Sequence, residues 1–67
     1  MPFPPEVSRE LETVYGLFPG EVDDVEAMIR RGDSDEQIAE FLAGDQAHRL
    51  SADQYLNAAH RLRATLR

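Results

Sequence analysis

Residues that start or stop helices recur at short intervals along this chain: Pro4-Pro5, Gly16, Pro19-Gly20, Gly32, Gly44 and Ser51. Between them lie four segments in which apolar residues return every three or four positions. No stretch shows the period-two alternation of a half-buried strand. The expectation is an all-α fold, a compact bundle of four short helices.

The first segment, Glu6 to about Gly16, follows two prolines suited to the first turn of a helix and sets Val7, Leu11, Val14 and Phe18 on one stripe. Leu17-Phe18-Pro19-Gly20 then turns the chain, because proline restricts the residue before it. A second helix is expected from about Glu21 to Arg31. Its acids Glu21, Asp23 and Asp24 come first and Arg30 and Arg31 last, as the helix dipole favours, with Gly32 in the place of a terminating glycine. Val22, Val25, Met28 and Ile29 make its inner face.

The third helix opens on Asp33 or Ser34, since Glu36 and Gln37 stand three residues on as the respective capping-box partners. It is expected to end near Ala43, before Gly44, with Ile38, Phe41 and Leu42 as its contacts. The short Gly32–Ser34 connection makes the second and third helices a helix-turn-helix corner. A loop from Asp45 to Leu50 leads to the strongest start signal: Ser51 as cap, Gln54 closing the box and Leu50 stapling onto Tyr55. Ala52, Tyr55, Leu56, Ala59, Leu62 and Leu66 are read as the inward stripe of the fourth helix. Asp53, Asn57, Arg61 and Ala64 lie on its far side.

Size limits what this bundle can do. A chain of 67 residues holds one domain, near the length at which a single core suffices only marginally. We divide it into an extended proline-rich N-terminus, residues 1–5, and one helical domain, residues 6–67, with Phe3 expected to tuck onto the core rather than stand out as an anchor. With no cysteine there are no disulfides, thiolate metal sites or cysteine nucleophiles. A protein partner is expected to add stability, or else self-association into a homo-oligomer.

The formal charge of −6 opposes sequence-independent attraction to phosphate backbones or anionic lipid, so neither nucleic acid nor a membrane is the expected partner. The charge is also bipolar. Residues 1–43 carry eleven acids against three arginines, net −8, whereas residues 44–67 carry four arginines against two aspartates, net +2. With no apolar run of membrane-spanning length and no signal-peptide pattern at the N-terminus, the expected compartment is the cytoplasm. All seven basic residues are arginine, a bias expected of a GC-rich bacterial or phage genome.

Chemistry is sparse. His48 and His60 are twelve residues apart with no ligand-spaced companion, the acidic clusters lack the spacing of a calcium loop, and the single glycines assemble no phosphate cradle. Ser34 and Ser51 are accounted for as caps, and Ser8 lies in no nucleophile-elbow context. No catalytic residue, cofactor or metal is therefore expected, and the chain is read as a non-enzyme.

Two resemblances come from the middle of the chain. Residues 29–42, Ile-Arg-Arg-Gly-Asp-Ser-Asp-Glu-Gln-Ile-Ala-Glu-Phe-Leu, resemble the first half of the helix-turn-helix domains of quorum-sensing-type response regulators and sigma factors. This implies a transcription regulator that contacts DNA as a dimer through Arg61, Arg63 and Arg67. Leu17-Phe18-Pro19, with Val25, Ile29, Ile38, Phe41 and Leu42, is similar to the Met-Phe-Pro loop and core of ubiquitin-binding CUE and ubiquitin-associated domains. That likeness implies Leu17, Phe18 and Leu42 as contact residues.

The first expectation is a small acidic protein-binding module acting as a regulator, inhibitor or accessory subunit. Its docking surface is placed at Leu17, Phe18 and Pro19 with Asp23 and Asp24, an aromatic anchor ringed by charge. The DNA-binding regulator is the alternative.

Overall fold

A computed structural model describes residues 3–45 and 47–66, Asp45 by its backbone alone. These residues form four helices, α1 (Pro5–Thr13), α2 (Pro19–Arg31), α3 (Asp35–Asp45) and α4 (Ala52–Thr65), and no strand. The fold is the all-helical small bundle that the spacing predicts. Its radius of gyration of 10.5 Å is close to the roughly 11 Å expected of a compact chain this long.

α1 begins at Pro5, so the last proline of the N-terminal run belongs to the helix, where its missing N–H is no loss. The Pro4 carbonyl accepts from both Val7 and Ser8 at 3.0 Å. Phe3 is tucked into the core as expected, while Met1 and Pro2 lie outside the described residues. The C-terminal end of α1 departs from expectation. The helix closes at Thr13 rather than Gly16, and the stripe Val7-Leu11-Val14-Phe18 is not its inner face. Leu11, Tyr15 and Leu17 are buried, whereas Val14 is 50% exposed and Phe18 74% exposed. The cause is the turn: once the helix stops, positions 15–18 no longer advance by 100° per residue, so Tyr15 and Leu17 swing inward.

α2 starts two residues earlier than expected, because Pro19 occupies its first turn. Phe18 is the residue before it, and the Glu21 carboxylate reaches back to accept from the Phe18 backbone N–H at 3.0 Å. Val22 and Val25 are fully inside, Met28 and Ile29 half-buried. The helix ends at Gly32 in the left-handed region, φ 89°, which lets Asp33 N–H donate to the Met28 carbonyl at 3.0 Å.

At the head of α3 Ser34 takes the capping role. Gln37 N–H donates to its hydroxyl at 3.2 Å, and the Gln37 side chain accepts from Ser34 N–H at 2.9 Å. α3 does not stop before Gly44 but continues through it to Asp45. It terminates as α2 does, His48 N–H donating to the Ala43 carbonyl at 2.9 Å, with Ala47 at φ 54° where α2 has glycine.

α4 opens on the expected box: Gln54 N–H donates to the Ser51 hydroxyl at 3.2 Å and Ser51 N–H to the Gln54 side chain at 2.8 Å. Leu50 packs against the core, and its N–H donates to the Tyr55 hydroxyl at 3.1 Å, satisfying a phenol that is otherwise inside. Ala52, expected inward, is exposed, and Ala58 joins Tyr55, Ala59 and Leu62 in the core. α4 packs most extensively on α3, and the Tyr15 and Tyr55 rings meet at 6.3 Å between the turn after α1 and α4. No helix among the described residues is long and apolar enough to cross a membrane.

Candidate functional site

The corner between α1 and α2 presents the most exposed large apolar side chain of the described residues. Leu17 and Phe18 are adjacent in sequence but oppositely placed. Leu17, 3% exposed, anchors the turn in the core, and Phe18, 74% exposed, is held outward by the first turn of α2. Two N–H groups of that turn, of Glu21 and Val22, donate to the Phe18 carbonyl at 2.9 and 3.1 Å, and with the Glu21 carboxylate on its own N–H the Phe18 backbone is fixed on both sides. Pro19, Asp23 and Asp24 are exposed beside it. Four of the five expected docking residues are therefore at the surface. Leu17 is not: it is core and can support a contact only by positioning Phe18. Leu42, implied as a contact by the likeness to ubiquitin-binding domains, is fully buried as well.

The arginines of α4 are engaged within the molecule. Arg61 Nη2 lies 3.3 Å from a Glu10 carboxylate oxygen, joining α4 to α1. Arg63 Nε donates to Asp35 at 2.9 Å, and its Nη2 donates to the Asp33 carbonyl, fastening α4 to the turn between α2 and α3. His60 Nδ1 approaches the second Asp35 oxygen at 3.7 Å. Arg67 lies outside the described residues. Any phosphate contact through Arg61 or Arg63 has to compete with these internal carboxylates.

The same turn carries a shifted carboxyl. Arg31 Nε donates to Asp33 at 3.0 Å, with a second limb from Nη2 to the other oxygen. This charge-assisted bond holds the Asp33 carboxyl below its ordinary range, opposed by partial desolvation, and raises the Arg31 guanidinium.

A second feature lies between α3 and the start of α4. A groove of about 260 Å³ runs over Ala39, Ala43, Tyr55 and Leu56, with exposed Glu36 and Glu40, one turn apart on α3, at its edge. Ala52 and His48 complete its lining. Sequence reasoning put Ala52, Tyr55 and Leu56 on the inward stripe of α4 but did not join them to Ala39 and Ala43. Ala39, Ala43 and Ala52 are too small to fill the space between two helices that larger side chains would close. No group of three or more His, Asp or Glu among the described residues is arranged to hold a metal ion.

Compared with known proteins, the chain matches no family model, no curated protein and no solved structure.

Proposed function

We propose that this chain is a small acidic interaction module that regulates, inhibits or completes a larger protein and docks through the Phe18 corner. The observation that carries the reading is the 74% exposure of Phe18 on a backbone fixed by Pro19 and the Glu21 carboxylate. An aromatic side chain left in water costs about 1.5–3 kcal/mol relative to its burial, and a rigid mount reduces the ordering cost of association. Exposed Asp23 and Asp24 favour a partner whose apolar pocket has a basic rim. The reading that the chain performs no chemistry of its own belongs to this proposal.

The test compares proteins retained from nuclease-treated source-cell lysate by the native chain and by Phe18→Ser. Because Phe18 is outside the core, the variant should keep its helical circular dichroism and melting temperature. A stoichiometric protein held by the native chain and lost by Phe18→Ser supports the corner. An identical set held by both overturns it, as does retention of nothing but nucleic acid from untreated lysate that disappears with nuclease.

A further inference from the structure

The groove between α3 and α4 has an apolar lining and an acidic edge, and that combination selects its occupant. Ala39, Ala43 and Tyr55 are buried at its base and Leu56 is half-buried, so the surface offered there is hydrocarbon and aromatic ring. Glu36 and Glu40 project beside it from successive turns of one helix, and neither forms an ion pair among the described residues. Two unpaired carboxylates flanking an apolar trough attract a group that is cationic at its ends and apolar in its middle. At about 260 Å³ the space falls below the roughly 300 Å³ at which small-molecule pockets begin, which suits one or two inserted side chains of a polypeptide.

A second copy of the chain is a poor occupant. Its most exposed apolar knob, Phe18, would bring Asp23 and Asp24 against Glu36 and Glu40, and its α4 cations Arg61 and Arg63 are held by Glu10 and Asp35. Like charges brought together at an interface oppose it.

We infer that the groove between α3 and α4 binds a basic amphipathic helix of another protein, one apolar side chain entering over Ala39 and Ala43 while lysine or arginine pairs with Glu36 and Glu40. This site is separate from the Phe18 corner and does not rest on it.

The experiment titrates the ¹⁵N-labelled full chain with a synthetic amphipathic helix of leucine and lysine at low salt. Two control peptides keep the same pattern, one with glutamate for lysine and one with serine for leucine. Saturable shifts confined to residues 36–43 and 52–56, with neither control bound, are expected. Glu36→Gln with Glu40→Gln should weaken binding by up to about fivefold for each charge removed. Ala52→Leu fills the groove from an exposed position while leaving every buried side chain unaltered and should abolish binding, whereas Ala64→Leu, elsewhere on α4, and Phe18→Ser should leave it unchanged. Shifts centred on residues 18–24, equal binding of the serine peptide, or no saturable binding overturns the assignment. So does native self-association, seen by sedimentation, that Ala52→Leu removes, because the occupant is then a second copy. The corner can fail its own test with all of these results unaltered.

Discussion

α2 and α3 end in the same geometry on different residues. Asp33 N–H donates to the Met28 carbonyl around Gly32 at φ 89°, and His48 N–H donates to the Ala43 carbonyl around Ala47 at φ 54°. Glycine reaches that region without steric cost; alanine does not, and His48 at φ 60° follows Ala47 into it. The first ending is written in local preference. The second is imposed on an unfavourable residue by what surrounds it, and the agent is packing: Ile38, Ala39, Leu42 and Ala43 are all buried, and α3 shares its widest contact with α4. With Ala43 inside, the helix runs on through Gly44 to Asp45 and the chain turns at Ala47 and His48 before Leu50 and Ser51 lead into α4.

The largest effect should come from removing that packing. Leu42 is completely buried, and Leu42→Ala is expected to cost about 2–5 kcal/mol, enough to unfold a domain of this size at moderate temperature. Thermal denaturation followed by circular dichroism measures it. A loss under 1 kcal/mol would mean that α3 is held by its own termini instead.

Gly32→Ala comes next. A Cβ there meets nothing within 4 Å, so the penalty is purely that of the backbone, about 1–2 kcal/mol. If Gly32→Ala proves neutral, the two helix ends are not different in kind and the contrast between them fails.

The exchange at the other end runs in the opposite direction. Ala47→Gly relieves a left-handed alanine and should stabilise by about 0.5–1 kcal/mol, and Gly44→Ala, inside the last turn of α3 with open space around its Cβ, should add a similar amount. Denaturant midpoints of the two single variants and the double variant decide this. Destabilisation by Gly44→Ala would place the end of α3 at Gly44 and remove the comparison.

These two endings also explain how far the sequence could be read. Ser51 and Gln54, Ser34 and Gln37, Pro19 and Gly32 act as their local chemistry dictates, and the four helices follow from them. The misplaced features are those where tertiary packing overrode a local rule: α3 running through Gly44, Val14 and Phe18 left outside while Tyr15 and Leu17 turned in, and Ala58 rather than Ala52 facing the core. At the candidate site, the corner was legible because Phe18-Pro19 is a local signal, but which of Leu17 and Phe18 faces water depends on the angle at which α1 meets α2. The groove was not legible, since a gap between helices is a property of two segments joined only in the fold.

The smallest effect distinguishes the Gly32 ending electrostatically. Arg31 and Asp33 flank that glycine, and the bond from Arg31 lowers the Asp33 carboxyl below its value in the unfolded chain. A carboxyl lowered on folding binds its proton less readily in the folded state. Its contribution to stability is therefore fully present above the unfolded value, near pH 4, and is lost as pH falls through the lower folded value. Because the Arg31 side chain stands in solvent while Asp33 is only partly covered, the increment is small and fades with added salt. Asp33→Asn retains the backbone carbonyl that accepts from Arg63 while removing the charge. Its melting temperature should lie slightly below the native one at pH 7, and the gap should narrow as pH falls below about 4 and close once the carboxyl is protonated in the folded state too. A gap that instead persists unchanged to pH 2 assigns the loss to the amide's altered hydrogen bonding, and the ion pair then contributes nothing to holding the turn.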